Sequence, residues 1–395
     1  MRTLDDPPRT AELVVVGGGV VGAATAFEAA RAGLRPVLLE ARPALCTLTT
    51  PVAAGAFRLQ FEDRDELELV RRSVEVFLSF EEATGQDRYR LGVRRQGYLW
   101  LTTTEEGAAR QRELVAQLHR WGQTDVELLP GDEVRARFPY VGPEVVQARF
   151  RAGDGFLDPK ALTFGLVEGS GAGVVPRCRA TGFRLEGDRL RAVETTRGTV
   201  GCEAAVVACG PFSGVLAAGA GVRLPIEAVR RHKLVLPDLP LVPAEAPMTI
   251  DEDTGVHWRP AAGGAWALFT DPATPPSEPT MDVPTDHRFA FDLLDPGSPH
   301  ALARVVPFWR RVWEHGAWNW LLQAGQYDVT PDHRPLLGRT GVEGLLVHAG
   351  YSGHGVMGSV GGARIVVDDL LGKLAPEDNP FRLDRDPRAV PPPTL

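Results

Sequence analysis

Gly17, Gly19 and Gly22 stand in a G-x-G-x-x-G spacing directly after the apolar run Leu13-Val14-Val15-Val16, and Glu40 follows at the tip of a second apolar run, Val37-Leu38-Leu39. These residue types in this order suit a dinucleotide. Gly17 makes the tight turn, Gly19 lets the backbone approach a pyrophosphate, and Gly22 allows close packing of a helix on a strand. Val20 and Val21 complete the loop, the helix that follows turns its positive end to the phosphates, and Glu40 accepts from ribose hydroxyls. A Gly-rich packing turn in an ordinary α/β unit is the competing reading. The strand-turn-helix-strand order, with the acid in place, favours the nucleotide.

Elements along the chain must position that loop. Residues 13–16 read as a buried strand, 23–31 as an Ala-rich helix ended by Gly33, and 37–39 as a second strand. Apolar residues recur at helical spacing over 63–84 until Gly85. Residues 93–101 read as a strand and 105–121 as an amphipathic helix. Residues 173–209 form a meander that returns to a strand at 204–208, and 234–271 form short strands cut by Pro and Gly. A proline-rich loop covers 272–284, residues 301–314 are helical, and the strand at 345–347 leads through Gly350, Gly353 and Gly355 into a helix over 356–371. The nucleotide unit is therefore split along the chain. The expectation is an α/β fold: a Rossmann-like FAD-binding domain from residues 1–80, 150–225 and 330–375, interleaved with an antiparallel-sheet substrate domain from 81–149 and 226–329, with a mobile tail at 376–395. Interleaving favours FAD over a contiguous NAD(P)-dependent dehydrogenase fold.

The chain of 395 residues carries a formal net charge of -8, with no basic stripe, which argues against nucleic acid or an anionic membrane as partner. Its four cysteines are scattered without a C-x-x-C, so zinc and a disulfide framework are poorly supported. Residues 1–8 lack the apolar centre of a signal peptide, and no apolar run is long enough to span a bilayer. The sequence reads as a soluble cytoplasmic protein without a metal.

Taken together, the motifs resemble the FAD-dependent D-amino-acid-oxidase-like family, which includes glycine oxidase, sarcosine oxidase and proline dehydrogenase. The resemblance covers residues 12–372 and rests on ordered motifs. The fingerprint runs from Val14 to Glu40. Thr49-Thr50 and then Gly55-Ala56-Phe57-Arg58-Leu59-Gln60-Phe61 resemble the flavin-facing segment, most closely in the sarcosine- and proline-oxidising branches. Val206-Val207-Ala208-Cys209-Gly210 resembles the strand that ends beside the cofactor. Tyr327-Asp328-Val329-Thr330-Pro331-Asp332 and Gly350-Tyr351-Ser352-Gly353-His354-Gly355-Val356-Met357 resemble the segments around the flavin ring.

The resemblance implies a reaction in which the flavin takes a hydride from the carbon beside an amine nitrogen, giving an imine. It assigns Gly17, Gly19, Val20, Val21, Gly22, Glu40, Ala41, Arg42, Thr49, Thr50, Ala180, Cys209, Gly210, Gly353, His354, Gly355, Val356 and Met357 to the cofactor. Gly353-His354-Gly355 sits where a helix begins, so its N–H groups can meet negative charge on the reduced ring. His354 is read as a cofactor contact rather than a base. Arg58 is the expected anchor of a substrate carboxylate, through two parallel N–H donors, against the alternative of a salt bridge to an acid such as Glu62. Tyr327 stands where glycine- and D-amino-acid-oxidising members carry an arginine, and Met357 where monomeric sarcosine oxidases carry a lysine. Gly325 takes the place of their flavin-linking cysteine, so FAD is expected to be non-covalent. No lysine stands near Trp266-Ala267-Leu268, where relatives place one thought to assist oxygen reduction, so oxygen is expected to be a poor acceptor. By the resemblance, the strand of His257, Trp258 and Arg259 roofs the pocket; His257 and Arg259 alternate along it and can share a face toward the substrate, with an ordinary structural role equally open. Trp309, Trp313, Trp318 and Trp320 read as core rather than as a binding cage. The expected partners are a small amine or amino acid (sarcosine-, proline- or N-methyl-amino-acid-like) and oxygen or another electron acceptor. The alternative is a flavin-binding subunit of a larger amine dehydrogenase or oxidase. Oligomeric state is left open.

Overall fold

In the computed structural model, which describes residues 1–316 and 319–386, two large sheets face the cleft where the predicted motifs meet. The first has seven strands in the order Arg2–Thr3, Gly173–Val175, Pro36–Leu39, Leu13–Val16, Ala205–Val207, Leu345–Ala349 and Leu336–Arg339. All its pairings are parallel except that of the last strand. Parallel strands are covered on both faces, which explains why Leu13–Val16 is an unbroken apolar run with every residue buried. The helices Val20–Arg31, Arg64–Leu78, Pro159–Ser170 and Gly355–Leu370 pack on one face. On the other lie the small antiparallel sheet Ala180–Glu186, Arg189–Thr195 and Gly198–Gly201 and the helix Ser213–Ala218.

A second sheet of nine strands is antiparallel apart from the pair Met248–Asp251 and Tyr98–Thr102. Its long strand Glu227–Leu236, next to one edge, pairs with Leu321–Val329 from Glu227 to Val235 and on its other side with Gly264–Leu268 and Pro276–Ser277. Side chains alternate across a sheet. Leu234, Ala267, Trp258, Leu99 and Phe150 therefore point away from the cleft into a core shared with the helices Arg288–Leu294 and Phe308–His315. The opposite face is turned to the cofactor side.

Several elements differ from the sequence reading. The helix expected over 63–84 is two, Arg64–Leu78 and Phe80–Thr84, because Ser79 leaves helical geometry (φ −118°, ψ 31°) and its hydroxyl donates to Glu75 O at 2.9 Å. The strand expected from residue 93 begins at Tyr98, after Gly97 at φ +91°; before it, Arg94 makes a single bridge to Phe156. Pro307, without an N–H, splits the expected helix at 301–314 into a 3₁₀ turn, Leu302–Arg304, and the helix Phe308–His315. Trp309 is fully buried, whereas Trp313 is 39% exposed and touches Phe291, as does Trp320; Trp318 lies outside the described residues. Residues 376–386 are held to the body rather than trailing from it. Phe381 is 1% exposed, and Arg385 pairs with Asp332 at 2.8 Å.

Candidate active site

A cleft of about 600 Å³ runs from the strand tips of the seven-stranded sheet to the cofactor-side face of the nine-stranded one. Such a crevice, outside the carboxyl ends of parallel strands, is where nucleotides bind in sheets of this kind. Gly17, Gly19, Val20, Val21, Glu40, Ala41, Thr49, Thr50, Ala180, Cys209, Gly210, Gly353, Gly355, Val356 and Tyr327 all line it.

The glycine loop is held by backbone hydrogen bonds, Gly17 N to Leu39 O and Cys46 N to Gly18 O, both at 2.9 Å, and by close contact. Gly17 has φ +118°, and a Cβ there would lie 2.4 Å from Ala208 O. A Cβ on Gly22 would lie 1.8 Å from Gly17 O, so Gly22 serves packing beneath the loop and does not line the cleft. Gly19 is different: a Cβ there would meet only Thr50 Oγ1, at 3.3 Å, with the cleft otherwise open beside it. The helix Val20–Arg31 starts at Gly19 with no side-chain cap and no acid in its first turn, which leaves its positive end to a ligand. Glu40 accepts from Gly18 N at 2.8 Å and from Arg42 N at 2.6 Å. Burial raises its carboxyl above the usual range while those N–H groups oppose the rise. Arg42 itself turns away, donating to Met281 O at 3.1 Å.

At the far end Tyr327 lies against Gly353, where a Cβ would come within 2.7 Å of the ring edge. The helix Gly355–Leu370 begins here, again with no side-chain cap and no acid in its first turn. Asp328 accepts from Gly350 N at 2.6 Å and lines the cleft; burial pushes its carboxyl up to about 6. Cys209, just beyond the strand Ala205–Val207, has its thiol pushed up to about 12 by burial. Met357 points into the apolar core instead of the cleft.

His354 departs from its expected place. Its ring is off the cleft lining, edge-on to Phe61, and Arg58 Nη2 donates to its Nε2 at 3.1 Å. A guanidinium only donates, so Nε2 accepts and the ring proton sits on Nδ1, facing Glu66 Oε1 at 3.5 Å. Helix capping explains the difference: residue 354 precedes the helix with its N–H donating to Tyr351 O and its carbonyl accepting from Gly358 N, and Gly353, Gly355 and Val356 line the cleft on either side of it. Arg58 is 6% exposed, lies over the Phe61 and Trp100 rings and donates to Gln60 O at 2.7 Å. Burial lowers its affinity for the proton. His257 donates from Nδ1 to Gly255 O at 2.8 Å, which leaves its lone pair on Nε2; burial first, and then Arg58, disfavour its protonation. Arg259 shares the His257 face but is engaged elsewhere, donating to Ala54 O at 2.6 Å over Phe156 and Trp266.

The expected absence of a lysine near Trp266 is corrected by cross-strand packing. Lys233, on the neighbouring strand, sets Nζ 3.9 Å from the Trp266 ring centre and donates to Pro51 O at 2.7 Å; burial, and secondarily Arg259, push its pKa down to about 7. Lys233 and Arg259 thus clasp residues 51–54 at the cleft's wall. Sequence reading missed both this clasp and Glu66. Only Glu66's place one helical turn after Asp63 offered a signal. Among the described residues there is no group of three or more His, Cys, Asp or Glu that could hold a metal, and no helix is long and apolar enough to cross a membrane.

The arrangement fits an extended dinucleotide whose ring end reaches Tyr327 and Gly353. Comparison with known proteins agrees. The sequence matches the family described as FAD dependent oxidoreductase over residues 12–369. D-amino acid dehydrogenase of Cereibacter sphaeroides is 28% identical across 92% of each chain. Mouse mitochondrial sarcosine dehydrogenase is 26% identical across 89% of this chain, which spans 38% of that longer protein. Two solved structures share the fold. L-proline dehydrogenase from P. horikoshii has a TM-score of 0.81 at 23% identity, covering 98% of this chain and 100% of that one. Glycine oxidase from Geobacillus kaustophilus has a TM-score of 0.81 at 24% identity, covering 96% and 100%.

Proposed function

The chain belongs to the FAD dependent oxidoreductase family and is an FAD-dependent enzyme of the amino-acid or amine oxidase and dehydrogenase kind; from that premise we propose that it oxidises the C–N bond of a small secondary or N-methylated α-amino acid, of sarcosine or proline type. The observation that carries this reading is Arg58, a buried guanidinium joined through His354 to the helix start that lines the cofactor cleft. Arg58 takes the substrate carboxylate, because a planar fork of N–H donors in a site shielded by Phe61 and Trp100 matches two carboxylate oxygens.

FAD, when bound, supplies the two-electron acceptor for the hydride leaving the carbon beside nitrogen. The residues here hold and orient. Gly17 to Val21 and Glu40 grip the dinucleotide end, and the start of the helix Gly355–Leu370 offers N–H groups to developing negative charge. His257 Nε2 accepts from the substrate amine and Tyr327 forms the aromatic wall, its phenol kept protonated by burial. Tyr98, Trp100 and Phe156, all nearly fully buried, exclude water. FAD is held without a covalent link. Gly325 supports this, since a Cβ there would already lie 3.1 Å from the Thr49 backbone.

An anaerobic screen tests the reading: sarcosine, glycine, both prolines, N-methyl amino acids and simple amines are added to the yellow enzyme. Secondary and N-methylated α-amino acids are expected to bleach it, and the matching amines without a carboxylate are not. Equal bleaching by both sets would remove the carboxylate from the account.

A further inference from the structure

The pairing register sets five cations on the cofactor-side face of the nine-stranded sheet. Lys233 lies opposite Leu268, which separates it from His257 on the next strand; Arg259 lies opposite Trp266; Arg149 and Arg151 lie opposite Trp100 and Tyr98; Arg231 lies opposite Gly325. Four of the five are accounted for. Arg149 pairs with Glu252 at 3.1 Å and Arg151 with Asp154 at 2.6 Å, while Lys233 and Arg259 hold the carbonyls of Pro51 and Ala54.

Arg231 is not. Its Nη1 donates to the adjoining Arg230 carbonyl at 3.1 Å, its Nε is buried without a hydrogen-bond partner, and among the described residues no carboxylate lies within 4.0 Å. Asp271, the acid that bears on it, already accepts from Ala273 N at 2.8 Å and Thr274 Oγ1 at 3.3 Å. Gly325 opposite brings no side chain to the guanidinium, and Thr49 and Val52 close the space its Cβ would take. Diagonally across, Tyr327 has its ring centre 5.9 Å from Arg231 Cζ, and Tyr327 is the wall of the cleft itself. A second guanidinium thus stands behind the ring-end wall, on a face where each of the other four cations is held by a carboxylate or by a carbonyl of another segment, while Arg231 holds only the carbonyl of its chain neighbour. Partly buried charge of this kind is costly unless an anion completes it.

We propose that Arg231 is a second anion receptor of the substrate site and that, within the secondary or N-methylated α-amino acids, the substrate class is one bearing a second carboxylate, one group held by Arg58 and the other by Arg231. This deepens the preceding reading and rests on its assignment of Arg58. The pairing would be bidentate and charge-assisted, as guanidinium geometry favours.

The test is a titration of the FAD-loaded enzyme with unreactive acids (acetate, malonate, succinate and glutarate), read as the shift they cause in the flavin absorbance. The wild type is expected to bind one of the dicarboxylates about tenfold or more tighter than acetate. Arg231→Gln should erase that excess and leave acetate within about twofold, while Arg231→Lys keeps part of it. No dicarboxylate preference in the wild type, or an equal loss of acetate and dicarboxylate in Arg231→Gln, would overturn the proposal. If Arg58→Ala leaves acetate binding unchanged, the underlying reading fails, and the assignment of Arg231 falls with it.

Discussion

Arg58 Nη2 donates to His354 Nε2 at 3.1 Å, joining residues 296 positions apart just before a helix whose first residues line the cofactor cleft. The bond fixes the imidazole tautomer and ties the arginine proposed to take the substrate carboxylate to the first residue before the helix Gly355–Leu370. Substrate anchoring and the cofactor's ring end therefore share one rigid connection.

Arg58→Ala is expected to weaken binding of carboxylate-bearing substrates by about 2–5 kcal/mol, because a desolvated charge pair is lost. Anaerobic titration of flavin reduction gives the affinity directly. Unaltered apparent affinity would take Arg58 out of the site.

The two glycines of the fingerprint separate fold from cofactor. Gly22→Ala drives a Cβ into Gly17 O and is expected to cost about 3 kcal/mol or more of stability, with FAD lost as a consequence. Gly19→Ala meets only a hydroxyl and should keep the apoprotein's unfolding midpoint while reducing FAD retention. Thermal unfolding alongside flavin content of the purified variants distinguishes them. Equal destabilisation by both would show that Gly19 also serves packing.

Lys233 makes stability depend on pH. Its amine protonates at about 7 in the fold, against 10.5 for the ordinary side chain. Between those values the unfolded chain binds more protons, so this group's contribution to stability rises with pH across that window. Lys233→Met removes the rise. Unfolding midpoints of both proteins across the window should diverge as pH increases, and parallel curves would contradict the assignment.

Asp328 gives the opposite slope at lower pH. Burial holds its carboxyl at about 6, against 3.8 in the unfolded chain, so the folded protein binds the extra proton between them. Its contribution is complete below about 3.8 and is lost as pH rises through about 6. Asp328→Asn should flatten that part of the profile in urea unfolding, and an unchanged slope would assign it to another group.

The nucleotide end was legible because its chemistry is local. Gly17, Gly19, Gly22 and Glu40 act within one strand-turn-helix-strand unit, and their spacing alone carries the geometry. The substrate end was only partly legible. Arg58, Tyr327 and His257 stood out by type, yet Lys233 reaches Trp266 and Arg231 reaches Tyr327 only through the pairing of strands distant in sequence. No spacing within one segment encodes that register. Breaks at Ser79 and Pro307 were hidden for a related reason, since apolar periodicity continues across both. Phe381 in the last described segment gave no periodic signal, yet it is buried.

The most direct measurement is a crystal structure of the FAD-loaded enzyme with a bound, unreactive N-methylglycine analogue. The account predicts the dinucleotide lying from Glu40 to Tyr327, with its ring beside Gly353 and the analogue's carboxylate on Arg58. A ring placed away from Gly353, or a carboxylate held elsewhere while Arg58 stays untouched, would contradict it.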